Sequence, residues 1–303
     1  MNKIIMLLIC ISSSFVYSQT SSKVNTYLNQ EPPGIKPKIF APGIISTKIE
    51  YQFGSAFSKN GDKFFFAVRL NKEWKAEIRY TELKNGKWTT PARLDLDPKY
   101  SYNDPLLSDD ESRLYFISDL PYKNQSNKNI NLWYIEKSDT GWSEPKFVSE
   151  NVNSSKDEFY ISFSDKGTIF FASNVHTKSE KDKWNFDIYY SEFKNKTFQP
   201  PVSLSKAINT THFECDAFIA PDESYMIFCS IRPEGFGEGD LYISFKTAEG
   251  NWTEAKNMGN LINSSHHEFC PFVTKDGKYF FYTSNGNIYW MEARSLRDYF
   301  RKE

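Results

Sequence analysis

The sequence lacks an excess of either charge: 37 Lys and Arg against 38 Asp and Glu leave a net of −1. That excludes the basic surface a nucleic-acid partner requires and the basic segment that draws a protein to an acidic membrane. Beyond its first residues it also lacks any apolar run long enough to cross a bilayer, so no membrane-spanning helix is expected. Cysteine and histidine are scarce, with four of each, and none has the tight ligand spacing of a zinc site. No G-x-S-x-G and no H-E-x-x-H occurs. The glycine-rich GFGEGD, from Gly235, leads into the strand-like DLYIS rather than a helix, so it is not a phosphate cradle.

Aromatic residues are what the chain has instead. They make up 17% of it, with 26 Phe and 18 Tyr, and flat rings favour pleated strands. The N-terminus, MNKIIMLLICISSSFVYSQ, has a charged start at Lys3, a short apolar run over residues 4–11 and a polar exit. It predicts a signal peptide over residues 1–18, cut near Ser18, and hence export to the periplasm or medium. Cys10 lacks the small residue before it that a lipid-anchor signal wants. Removing the signal leaves Cys215, Cys229 and Cys270, an odd number that cannot all pair.

One phrase recurs along the chain. NDPLLSDDESRLYFIS from Asn103, DEFYISFSDKGTIFFAS from Asp157, ECDAFIAPDESYMIFCS from Glu214 and EFCPFVTKDGKYFFYTS from Glu268 are copies, with a weaker one, FGSAFSKNGDKFFFA, from Phe53. Each reads as an apolar strand, a tight polar turn and an aromatic strand. The residues opening the turns are Ser58, Ser108, Ser164, Ala220 and Thr274, spaced 50, 56, 56 and 54 apart, which is a repeat architecture. A third strand follows each hairpin: EIRYTE, NLWYIE, DIYYSE, DLYISF and NIYWME. Then comes W-x-x-P or its variant: Trp88 with Pro91, Trp142 with Pro145, Phe198 with Pro201, Trp252 with Ala255. Proline suits an edge strand.

Four strands per unit make one propeller blade. The fifth unit has no outer strand after Met291, and KIFAPGIIST from Lys38 stands ready to supply it. The expectation is an all-β, five-bladed β-propeller of four-stranded blades over residues 38–294, closed by an N-terminal strand. Residues 19–37 read as a flexible leader and 295–303 as a short charged tail that could be helical. The phrases SDDESRLYFIS and APDESYMIFCS, with DIYYS and W-x-x-P, resemble the WD40-like β-propeller repeat of TolB-type proteins, the PD40 repeat named for its Pro-Asp turn. Pro221-Asp222 matches that turn; the other turns keep the Asp or its neighbour and lose the Pro. The resemblance implies an exported or periplasmic protein with a binding or scaffolding role.

Six positions before the turn anchors lie Gln52, Tyr102, Glu158, Glu214 and Glu268; four before lie Gly54, Asp104, Tyr160, Asp216 and Cys270. Inner strands line a propeller's channel, so Asp104, Glu158, Glu214, Asp216 and Glu268 are candidates for an acidic ligand-binding arc at its mouth. The plainer role for a repeated Glu is capping backbone donors. His212 and His266 fill equivalent places in adjacent units and, with His267, are the candidate ligands of a divalent metal. No other cofactor is expected. Cys215 and Cys229 lie seven residues to each side of Asp222 and are placed to face each other across a hairpin, as a geometrically demanding cross-strand disulfide or, the preferred reading, as two packed thiols.

Long second-to-third-strand connections carry Tyr122, Trp184 and Phe236, candidate contacts for a partner on a rigid scaffold, or else covers for neighbouring blades. The carboxylates mostly follow the repeat, whereas an active site departs from it. The function expected is therefore a non-catalytic binding or scaffolding module for an envelope protein or glycan. The alternative is a glycan-active hydrolase using two unlike carboxylates at the channel mouth.

Overall fold

The computed structural model describes residues 26–294, 296 and 300, apart from 71, 73, 74, 124–128 and 180–182. The signal-peptide reading of residues 1–18 lies outside the described residues. Five antiparallel blades follow the repeat. Blade one is built from Tyr51–Phe57, Lys63–Arg69 and Ala76–Lys84, blade two from Tyr102–Leu107, Arg113–Ser118 and Asn131–Ser138. Blade three has Glu158–Phe163, Ile169–Ser173 and Asp187–Ser191; blade four Phe213–Ile219, Tyr225–Ile231 and Asp240–Phe245; blade five Glu268–Val273, Tyr279–Ser284 and Asn287–Glu292.

The outer strands are short and broken. In blade one Lys87–Trp88 and Ala92–Arg93 both pair with the third strand, and Pro91 falls in the gap between them. The W-x-x-P element is thus a kinked edge, which a residue without an N–H permits. Blade five takes its outer strand from the other end of the chain: Lys38 pairs with Trp290 and Ile39 with Tyr289.

The aromatic second strands hold the ring together. Successive side chains of a strand point to opposite faces, and here both faces are covered by a neighbouring blade. Phe64 and Phe66 pack into the seam between blades five and one, while Phe65 packs between one and two. Leu114 and Phe116 face blade one, and Tyr115 and Ile117 face blade three. This is why the second strands read as unbroken apolar runs. Each fully buried Phe contributes about 2–3 kcal/mol.

Described residues at both ends pack against the ring. From Thr26 onward the leader is docked: Tyr27 and Leu28 are buried beside Phe57, Phe64 and Phe281, and the Tyr27 hydroxyl donates to Asp276 at 3.1 Å. An aromatic and a leucine gain more from that seam than a flexible leader gains in entropy. At the other end, residues 293, 294, 296 and 300 are helical, and Leu296 and Phe300 are buried in the core.

Candidate functional site

Every blade presents two special inner-strand positions, and the structure gives each a distinct job. The first, six residues before the turn anchor, forms a collar at the end of the ring where inner strands begin. Glu158, Glu214 and Glu268 are all fully buried there. Glu268 accepts the Ser264 N–H at 2.9 Å, the Ser264 hydroxyl at 2.7 Å and the Ser284 hydroxyl at 2.6 Å. Glu214 accepts the Thr210 N–H at 2.9 Å, the Thr210 hydroxyl at 2.7 Å and the Ser230 hydroxyl at 2.9 Å. Arg232 adds an ion pair at 3.5 Å. Glu158 accepts the hydroxyls of Ser154 at 2.6 Å and Ser173 at 3.0 Å, both through Oε1. Burial pushes its pKa up to about 7, against those hydrogen bonds. Gln52 repeats the arrangement in blade one, exchanging hydrogen bonds with Thr47.

Glu214 and Glu268 act as loop caps, both oxygens of each taken by hydroxyl and amide donors of the neighbouring loop and strand. Glu158 is held through Oε1 alone, and its Oε2 is buried without a hydrogen-bond partner.

A companion residue went unread. Asn153, Asn209 and Asn263 stand five residues before the three glutamates. Each clamps the third strand of the preceding blade: Asn263 accepts from the Leu241 N–H at 2.8 Å and donates to the Leu241 carbonyl at 3.0 Å. Asn153 does the same to Leu132, and Asn209 to Ile188. The signal was available as NSSKDE, NTTHFE and NSSHHE.

The second position, four residues before the anchor, lies at a register break in every inner strand. Gly54, Asp104, Tyr160, Asp216 and Cys270 all have left-handed backbone, with φ of 64°, 51°, 52°, 52° and 50°. One glycine and four strained side chains thus turn toward the axis. The Cys270 thiol lies 3.4 Å from Asp104 Oδ1 and 3.7 Å from Asp216 Oδ2. The Cys270 N–H donates to Asp216 at 3.1 Å, and the Cys215 thiol to its other oxygen at 3.2 Å. The Tyr160 hydroxyl crosses the axis to the Pro271 carbonyl at 2.6 Å. Burial, and then the charge of Asp216, raise the Asp104 pKa well above the carboxylate range; burial raises that of Asp216 as well. The Cys270 thiol is pushed up by burial and by both aspartates. The axis is a buried plug of neutral-leaning acids and thiols.

Cys215 and Cys229 are cross-strand partners, as their spacing around Asp222 foretold, and all three described cysteines are buried, free thiols. The histidines do not converge. His266 is exposed, whereas the His267 ring lies between Phe269, at 5.0 Å between centroids, and the Cys229 sulfur, 4.0 Å from Nε2. Among the described residues no three His, Cys, Asp or Glu side chains are grouped to hold a metal ion.

The three loop aromatics divide. Tyr122 stacks on Phe147 of its own blade, 3.6 Å between centroids and 5° between planes, so it serves packing rather than display. Trp184 and Phe236 remain 65% and 49% exposed.

No family model matches the sequence, and no curated protein matches it by sequence. Solved structures do match. TolB from Acinetobacter baumannii is 14% identical over 80% of this chain and 54% of that one, with a TM-score of 0.49; the chain spans about half that protein's length. Kuenenia stuttgartiensis hydrazine synthase is 13% identical over 81% of this chain and 38% of that one, with a TM-score of 0.51. A protein of unknown function from Dyadobacter fermentans is 12% identical over 86% of this chain and 83% of that one, also at 0.51. At these identities only the fold is shared. In fold the chain is a five-bladed β-propeller.

Proposed function

We propose that the protein is a non-catalytic, exported binding module that docks an envelope protein at the end where its inner strands begin. The observation that carries this reading is the exposure of Trp184 and Phe236, on the second-to-third-strand connections of adjacent blades. Val175, Ile231 and Leu261 are exposed on the same two blades and the connection to blade five, at that end. Large apolar side chains left in water on rigid loops favour a partner surface. The hydrolase alternative gains no support from the axis, where Asp104 and Asp216 are buried and engaged with thiols.

The test is site-specific photo-crosslinking in cells of the source organism. A crosslinker at position 184 or 236 is expected to yield one discrete protein adduct, lost in the Trp184→Ala/Phe236→Ala background when the crosslinker sits at 261. A crosslinker at Phe193, on the opposite end, serves as control. Adducts of equal yield from 193, or none from 184 and 236, would overturn the docking reading. N-terminal sequencing of the protein from the same cells is expected to begin at Gln19 if export follows the signal reading.

A further inference from the structure

Blade four departs from its neighbours at the turn between its third and outer strands. In blades one to three two residues close that turn: Asn85-Gly86, Asp139-Thr140 and Asn195-Lys196. In blade four five residues, 247–251, separate the paired Lys246 and Trp252. The longer turn is ordered: the Thr247 N–H donates to the Asn251 carbonyl at 2.7 Å and the Gly250 N–H to the Thr247 carbonyl at 3.0 Å. Together with Trp252 it forms one wall of a groove of about 430 Å³ between blades three and four. Phe170 and Tyr190, stacked at 5.9 Å, form the other. By contrast, a pocket between blades one and two holds about 20 Å³, room for little more than a water.

The mouth of the groove carries two lysines that share one carboxylate. Lys166 and Lys246 both donate to one oxygen, Oε2 of Glu223, at 3.2 and 2.7 Å. The other oxygen accepts the Ser164 hydroxyl at 2.9 Å. Each ammonium group has three N–H donors and so keeps some for a further acceptor. Glu192, also on the groove, is taken by Lys194 at 2.6 Å. Lys246 lies 5.4 Å over the Trp252 ring, so charge and aromatic surface adjoin.

We propose that this groove binds an acidic saccharide, with the apolar face of a sugar ring against Trp252 and Tyr190 and its carboxylate on Lys166 and Lys246. The volume falls within the usual range for small-ligand sites, roughly 300–1,000 Å³. Thr168, Ser203 and Asn251 supply small hydroxyl and amide groups suited to a hydroxylated ring. The edge strand here is two residues long, Val202–Ser203, too short to template an added peptide strand. The groove lies at the opposite end from Trp184 and Phe236, so it stands independently of the docking reading.

The experiment titrates the full mature chain with digalacturonic acid, a neutral disaccharide of the same linkage and an acidic tripeptide, following tryptophan fluorescence and calorimetry at millimolar concentrations. Saturable binding of the diacid is expected, with the neutral sugar weaker by roughly tenfold, the worth of one charge-assisted hydrogen bond. Lys166→Gln, at a side chain 69% exposed, should weaken the diacid by a similar factor and leave the neutral sugar unchanged. Val202→Trp, at a side chain 49% exposed on the groove, should fill the site and abolish both without unfolding the blade. No saturable binding of the diacid, binding that survives Val202→Trp, or binding of the peptide in place of the sugar would each overturn the proposal.

Discussion

Glu268 and Asp104 are both buried carboxylates on inner strands, two places apart in the repeat, and their surroundings differ in kind. Glu268 meets an amide and two hydroxyls, all within sixteen residues of itself in sequence. Asp104 meets the thiol of Cys270, 166 residues away. In the collar the donors come with the carboxylate in one local phrase and oppose the effect of burial, which still raises the pKa of Glu158 and Glu214. On the axis the neighbours come from different blades, and acids and thiols shift toward their neutral forms. A buried carboxylate is therefore no sign of chemistry until its donors have been counted.

The sharpest break of that contrast is at the collar. Glu214→Ala strands an amide and two hydroxyl donors in the interior and is expected to cost about 3 kcal/mol, read as a lower midpoint in urea. Glu214→Gln should cost far less, because Gln52 already does the work in blade one. Equal losses from Ala and Gln would mean the charge, not the capping, matters. Next comes Glu158, whose folded pKa of about 7 exceeds its ordinary 4.5. The folded state holds its proton to higher pH than the unfolded chain. Its contribution is thus full below pH 4.5 and is lost as pH rises toward 7, by up to about 3 kcal/mol. Glu158→Gln should flatten that decline in a series of denaturation curves. Asp104→Asn on the axis acts in the same direction, raising stability at alkaline pH relative to acid. The smallest effect is expected from Gly54→Ala. Its Cβ would sit 3.3 Å from the Pro105 ring at a φ of +64°, a cost of about 1 kcal/mol. No loss there would show that the axial backbone is less constrained than the four strained side chains around it imply.

The ring was legible because it is periodic. Turn anchors, third strands and W-x-x-P elements keep step, and the unmatched end of unit five pointed to Lys38 for its outer strand. The collar was legible in place but not in orientation: spacing puts Glu158, Glu214 and Glu268 at strand starts, while only the positions of Ser154, Thr210 and Ser264 show which way they turn. The axial plug was not legible, since Asp104, Asp216 and Cys270 meet only after the ring closes. For Tyr122 the sequence left display and packing open, because Phe147, its stacking partner, lies on the broken outer strand, whose course the sequence does not specify. The groove between blades three and four did leave a trace. DLYISF stands further from its tryptophan than the equivalent strands do, a small difference beside the larger loops.

The pairing of Lys38 and Ile39 with the last full strand has a consequence for synthesis. The edge strand of blade five is made before the other four blades and its partner after them. Until residues 287–292 emerge, four finished blades carry an unsealed flank, and seam residues such as Phe40 and Phe64 wait for Phe281 and Trp290. Folding to the closed ring is therefore a late, long-range event. A chain stalled before its final strand would present both halves of an open seam to its neighbours, a template for assembly in the wrong molecule.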